Sequence, residues 1–198
     1  MSKNTKTELF TLRYATTTEW ISTVLANFDN FLNDHAQAEK KASGMAMSML
    51  SHYPDRHELV KAMIDLSIEE LSHFREVVRI MQARNLTLKP DEKDPYINGF
   101  RQHIRSGSEA YMLDRLLTAG IIEARGCERF SLVGEHHSDP AMSQFYRSIA
   151  ASEARHHLLF IDLAQCYFDT PIVEQRLDEL LDIEAQLTRQ LPIRAVLH

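Results

Sequence analysis

Apolar residues recur at steps of three and four along most of this chain, the spacing of one face of an α-helix. From Glu19 to Leu50 the stripe runs Ile21, Val24, Leu25, Phe28, Phe31, Leu32, and then continues through His35, Glu39, Ala42 and Ala46. Asn27 to Asp34 is polar-rich, so this span reads as two helices or one helix with a break; Tyr53-Pro54 ends it. Thr16 to Thr18 offer caps ahead of Glu19. Residues 1–15 read as a weakly structured lead-in with an apolar anchor at Leu9–Phe10. A second helix, about 54–85, carries Leu59, Met63, Leu66, Glu70, His73, Val77 and Ile80 in register. A third, from Ser106–Ser108 to Phe130, carries Met112, Leu116, Gly120, Glu123, Cys127 and Phe130; a loop around Gly134 to Pro140 follows. The fourth, Ala141 to about Phe168, carries Phe145, Ile149, Glu153, His156, Phe160, Leu163 and Tyr167.

Residues 86–106, with Pro90 and Pro95, form the long crossover that joins two helical hairpins, with a short helix expected near 95–105. After Thr170-Pro171 a further helix, about 171–190, presents Leu177, Leu180, Leu181, Ile183 and Leu187 as a packing element. No strand-like alternation and no Gly-rich phosphate loop interrupts this order. The expected fold is all-α: a four-helix bundle with a long crossover and an additional C-terminal helix. It forms one domain over 1–198, with the bundle core at about 19–168.

Acidic and imidazole side chains sit on the apolar stripes. Glu39 precedes Glu70-x-x-His73 by 31 positions, and Glu123 precedes Glu153-x-x-His156 by 30. Residues three apart share a helix face, so each Glu-x-x-His pair presents an oxygen and a nitrogen inward together. A buried carboxylate is costly unless a charge or a metal satisfies it. One such glutamate is a tolerated ion pair; four, with matching histidines, are the ligand set of a carboxylate-bridged dinuclear site in a four-helix bundle. Four carboxylates and two imidazoles suit two iron or two manganese ions. His35, one turn before Glu39, reads as a partner orienting that ligand or as a packed core residue. His157 reads as a surface residue, and His136 and His137 as exposed loop residues. His52 and His57 flank a turn and look ordinary.

Composition alters this picture little. The hydrophobic share is 44% and the charged share 25% over 198 residues, enough for one sizeable core. No apolar run reaches membrane-spanning length, and the N-terminus lacks the apolar core of a secretory signal, so a cytoplasmic location is expected. Cys127 and Cys166 form no motif and read as reduced, buried helix residues. Met45, Met47 and Met49 read as core and lid fillers. The net charge of -6 excludes nucleic-acid binding by bulk charge; an RNA partner needs a local basic face. Arg101, Arg105, Arg115, Arg125, Arg129, Arg147 and Arg155 make the second half its candidate, either as phosphate contacts or as solvated and paired side chains. Asp114 is expected to pair with Arg115 or Arg125.

Local motifs carry a resemblance. The segments DHAQAEKKASGMAMSM around Glu39, LSIEELSHFREV around Glu70, LLTAGIIEARGCERF around Glu123 and FYRSIAASEARHHLLF around Glu153 resemble the non-haem diiron tRNA hydroxylases that act on 2-methylthio-N6-isopentenyladenosine, over about residues 8–190. The resemblance implies a ferritin-like enzyme that hydroxylates the isopentenyl side chain of the adenosine next to the tRNA anticodon. It implies Glu39, Glu70 and His73 on one iron and Glu123, Glu153 and His156 on the other. Glu70 and Glu153 are then the bridging and catalytic carboxylates. Dioxygen is the implied co-substrate, tRNA the partner, and an external electron donor supplies the reductant. Lys40 and Lys41 are weak candidates for holding phosphates at the mouth of the site. A monomer or small homo-oligomer is expected. Two other readings use the same ligands: another ferritin-like diiron oxidase or a manganese catalase, and a metal-binding bundle without an RNA substrate.

Overall fold

The computed structural model describes residues 11–198, and among them every regular element is helical. The helices are α1 (Thr18–Ala26), α2 (Phe28–His52), α3 (His57–Ala83), α4 (Pro95–Arg101), α5 (Ser108–His136), α6 (Pro140–Tyr167) and α7 (Thr170–Gln190). The expected Leu9–Phe10 anchor lies outside the described residues. None of these helices is long and apolar enough to cross a membrane.

Local chemistry sets most of the boundaries. Thr17 caps α1 by accepting from the Trp20 amide. Asp94 and Asp139 cap α4 and α6, each followed by a proline at the first helical position, where a missing N–H costs nothing. The ambiguity at Asn27–Asp34 resolves as a break at Asn27, whose backbone leaves the helical region and whose amide still bonds the Val24 carbonyl at 3.1 Å. The short crossover helix appears at Pro95–Arg101.

The third bundle helix is longer than its apolar stripe implied. It runs on to His136, because Gly134 lies inside the helix and not in the turn. There α5 and α6 approach closely. A Cβ on Gly134 would stand 2.9 Å from Arg147 Cγ and 3.1 Å from the Arg147 backbone nitrogen. The Gly134 carbonyl also accepts from Ser143 Oγ at 2.5 Å. Gly134→Ala is therefore expected to cost about 1–3 kcal/mol by forcing the helices apart. A urea denaturation midpoint equal to wild type would refute that close approach.

Helices α2 with α3, and α5 with α6, form two tightly paired hairpins that face each other, while α7 and α1 pack on α5. The interior divides along its length. One apolar cluster contains Ala46, Met49, Leu59, Met63, Leu116 and Phe160. The other contains Phe31, Leu32, Val77, Phe130, Tyr146 and Ile149. On α2, α3 and α6 the two clusters are separated by about three turns, and the buried polar residues Glu39, Glu70, Glu153 and His156 fill that layer.

Several surface and pairing expectations change in the folded chain. Cys166 is exposed and Cys127 half-buried, because Cys166 lies off the inward stripe of α6. His157 is half-buried, with burial lowering its imidazole pKa. Asp114 is fully buried and pairs with Arg105 of the crossover at 2.7 Å and Arg176 of α7 at 2.9 Å, not with Arg115 or Arg125. Neither Arg125 nor Arg129 is a solvated helix residue: α7 and the tail cover both. His136 is the last residue of α5, and His137 packs on Phe28 with ring centroids 4.5 Å apart. Of the methionines, Met49 is buried and Met47 is exposed.

Candidate metal centre

Helical spacing brings all six sequence-selected side chains into the central layer. Glu39 of α2, Glu70 and His73 of α3, Glu123 of α5, and Glu153 and His156 of α6 form two overlapping groups. Glu39, Glu70, His73 and Glu153 each offer one ligand atom, all within 4.8 Å of one another; Glu70, Glu123, Glu153 and His156 do the same. Glu70 and Glu153 occur in both groups, which is the position a bridging pair requires. Five of the six are buried and His73 is nearly so.

The electrostatics of this layer are unbalanced. Among the described residues no lysine or arginine pairs with any of the four glutamates; the close partners of Glu39, Glu70 and Glu153 are histidines, and Glu123 faces carboxylates. His156 Nδ1 lies 2.9 Å from Glu70 Oε1 and 3.2 Å from Glu153 Oε2. Only the second contact has hydrogen-bond geometry, which leaves Glu70 Oε1 buried without a hydrogen bond. His73 Nδ1 is similarly orphaned, 3.5 Å from Glu39 Oε2 and 3.6 Å from Glu70 Oε2, both too long for hydrogen bonds. Desolvation and then neighbouring carboxylates hold the Glu123 carboxyl well above its usual range. Desolvation also raises Glu39, where Glu70 adds to the rise and His73 opposes it. For Glu70 desolvation is outweighed by His156 and His73, which pull it down. Desolvation likewise loses at both histidines: Glu39 and Glu70 hold His73 up at about 10, and Glu153 and Glu70 hold His156 up at about 11. Orphaned inward-facing donors beside clustered carboxylates fit a pair of divalent cations, and oxygen with imidazole nitrogen is the donor set of iron or manganese.

The structure decides the reading of His35. It is fully buried, and its Nε2 lies 2.6 Å from Glu39 Oε1 while Nδ1 lies 3.1 Å from the Tyr146 hydroxyl. Burial pushes its pKa down to about 3, so the ring is neutral. With Glu39 ionised, Nε2–H donates to Glu39 and Nδ1 accepts from Tyr146, which fixes the carboxylate's orientation.

Sequence reasoning missed Glu69. Its Oε2 lies 3.2 Å from His156 Nε2, on the side of the ring away from the carboxylate layer, and its Oε1 accepts from Ser152 Oγ and, at 2.8 Å, from Arg155. The available signal was weak: an acidic residue beside a predicted ligand, one position off the stripe. A groove of about 320 Å³ between α3 and α6 reaches this point, lined by Leu66, Leu159 and Leu163 as well as Glu69 and His156. Lys40 and Lys41 are partly exposed and both reach Asp91 of the crossover, at 3.8 and 2.6 Å.

The family model described as tRNA-(MS[2]IO[6]A)-hydroxylase (MiaE) matches residues 3–198. The chain belongs to this family. Its curated relatives include the tRNA 2-(methylsulfanyl)-N(6)-isopentenyladenosine(37) hydroxylase of Pseudomonas putida, 35% identical over 150 residues, covering 76% of this chain and 73% of that protein. The Salmonella typhimurium protein of the same name is 34% identical over 132 residues, covering 67% of this chain and 48% of its own longer length. Among solved structures, a Synechococcus protein with aldehyde deformylating oxygenase activity superposes with a TM-score of 0.90 at 34% identity, covering 94% of each chain. The fold is ferritin-like, with α7 added to the bundle of this family member.

Proposed function

We propose that this chain is an oxygen-dependent tRNA hydroxylase that adds one oxygen to the isopentenyl side chain of 2-methylthio-N6-isopentenyladenosine. The observation that carries the reading is the six-residue layer, in a member of the hydroxylase family, with Glu70 and Glu153 common to both ligand groups. Glu39, Glu70 and His73 would hold one iron, and Glu123, Glu153 and His156 the other. Bound there, such a pair supplies the redox chemistry that activates dioxygen. An external reductant supplies two electrons per turnover, and the products are one alcohol and one water.

The chain's own part is placement. The apolar clusters on either side of the layer exclude water from it. The groove reaches His156 and is lined by Leu66, Leu159 and Leu163 together with the charged Glu58, Lys61, Asp65 and Asp162; a prenyl chain is the part of the substrate that fits its leucine-lined portion. His35 with Tyr146, and Glu69 with Ser152 and Arg155, hold the ligand side chains from opposite sides. A tRNA substrate places the proposed activity in the cytoplasm.

The test is aerobic turnover of iron-loaded protein with a reductant and tRNA bearing the isopentenyl modification, read by mass spectrometry of the nucleosides. The modified adenosine gains one oxygen; an unchanged nucleoside mass with confirmed iron content would refute the assignment. The likeness to a protein with aldehyde deformylating oxygenase activity favours one second reading, oxygen chemistry on an aldehyde, because one scaffold hosts many substrates. An aldehyde in place of tRNA separates the two.

Glu69 gives a further expected result. Glu69→Gln keeps a polar side chain of the same shape beside His156 Nε2 but loses its charge, whereas Glu69→Ala loses both. Iron affinity is expected to fall by roughly 10–100-fold in Glu69→Ala, with partial recovery in Glu69→Gln. Equal iron affinity in all three proteins would contradict the role.

A further inference from the structure

A second cavity, of about 130 Å³, lies on the far side of α5 from the carboxylate layer, where the segment before α1, the end of α7 and the tail 191–198 meet. Three arginines line it: Arg129, Arg189 and Arg194. Arg129 is 8% exposed and has no carboxylate within ion-pair distance among the described residues. Its Nε donates to Thr16 Oγ1 at 3.3 Å, and its Nη1 donates to the Leu197 carbonyl. Its guanidinium carbon lies 4.9 Å from the Trp20 ring centre. Nη2 has no hydrogen-bond partner among the described residues. A buried guanidinium held only by a hydroxyl, a carbonyl and a ring is short of negative charge. Burial first, and repulsion from Arg125 second, lower its pKa to about 10. Glu128 and Glu184 oppose this from a distance, but both are directly engaged by Arg125.

The remaining lining has the same character. Arg189 lies over the Tyr14 ring at 5.2 Å, and Arg194 is exposed; neither has a carboxylate partner among the described residues. Thr17 Oγ1 accepts from the Trp20 amide, so its hydroxyl hydrogen is left to donate. The aromatic rings offer no stacking platform. Arg129 covers Trp20, Arg189 covers Tyr14, and His198 stacks on Tyr96 at 4.9 Å. The volume is also well below that of a pocket for a whole nucleotide. Guanidinium and hydroxyl donors lining one small cavity match a tetrahedral oxyanion.

We propose that this cavity binds a phosphate group through Arg129, Arg189, Arg194 and Thr17. The group comes from a small phosphate or from an RNA backbone, and the inference does not depend on the hydroxylase assignment. Calorimetric titration of the full chain with inorganic phosphate, at ionic strength matched with sodium chloride, tests it. Saturable binding of one phosphate per chain is expected. Arg194 is exposed, so its variants keep the fold: Arg194→Ala is expected to weaken binding roughly fivefold, and Arg194→Glu by at least about tenfold. A single-stranded RNA lacking the modified nucleoside distinguishes the sources. RNA binding that phosphate competes away assigns the site to the RNA backbone; phosphate binding without RNA binding assigns it to a small phosphate. No saturable binding of phosphate, or equal phosphate affinity in wild type and Arg194→Glu, would overturn the proposal.

Discussion

Changing Glu153 to alanine is expected to abolish hydroxylation while leaving the helical bundle intact. Glu153 is 3% exposed and belongs to both ligand groups, so its loss removes a donor atom from each. Residues that merely orient a ligand cost roughly 10–100-fold when removed, and a shared ligand is expected to exceed the upper figure. Stability should respond far less. In metal-free protein Glu153 both repels and attracts: after desolvation, it is what most raises the Glu123 carboxyl, and it helps to hold the His156 imidazolium. The near-isosteric Glu153→Gln loses both effects together and is therefore expected to stay close to metal-free wild type in thermal stability. Ferrous iron, added without oxygen, should then raise the melting temperature of wild type by mass action and leave both variants nearly unmoved. Retained hydroxylation in Glu153→Ala, or an equal iron-induced shift in all three proteins, would contradict the role.

The second large effect lies away from the metal layer. Arg125 and Glu184 are both fully buried, and Glu184 accepts from Arg125 Nε at 2.8 Å and Nη2 at 2.9 Å. Glu184 also accepts from the Tyr96 hydroxyl at 3.0 Å and from Thr188 Oγ1 at 2.7 Å. Arg125 reaches further, to the Tyr14 carbonyl at 2.7 Å and to Glu128. One guanidinium thus ties α5 to α7 and to the segment before α1, while Glu184 brings in α4. Arg125→Ala strands a buried carboxylate with only neutral donors, an expected loss of about 3–5 kcal/mol. For a chain of this size that is a melting temperature lower by roughly 10 °C. The double change Arg125→Met with Glu184→Leu should recover most of it, because matched apolar groups remove both desolvation costs. A single-variant loss of about 1 kcal/mol or less would mean that the pair is effectively solvated.

The contrast between these two sites shows what was readable in the chain. Glu39, Glu70, Glu123 and Glu153 were recognisable because helical periodicity places them on stripes whose other members are apolar. Their convergence needed only antiparallel hairpins of ordinary geometry. Glu184 carried the same signal, one turn from Leu180 and Leu181 on the inward face of α7, but a single buried acid has no repeat to mark it. Its partner Arg125 stands 59 positions away. Arg176, the partner of Asp114, stands 62 away. Pairings at such separation follow from how α7 lies on α5, which no local pattern encodes. Gly134 shows the complementary failure. In sequence Gly134 reads as a turn residue, whereas its missing side chain allows α6 to approach inside a continuing helix. Glu69 was hidden for a third reason: it faces His156 from outside the stripe, where an acidic residue ordinarily meets solvent.

The central claim is that six side chains from four helices make one site for two metal ions. Anaerobic titration of the metal-free chain with ferrous iron, followed by removal of unbound iron and elemental counting, tests it most directly. The account predicts saturation at two irons per chain. Saturation at one or none, or uptake that continues to many irons per chain as in a storage bundle, would contradict it.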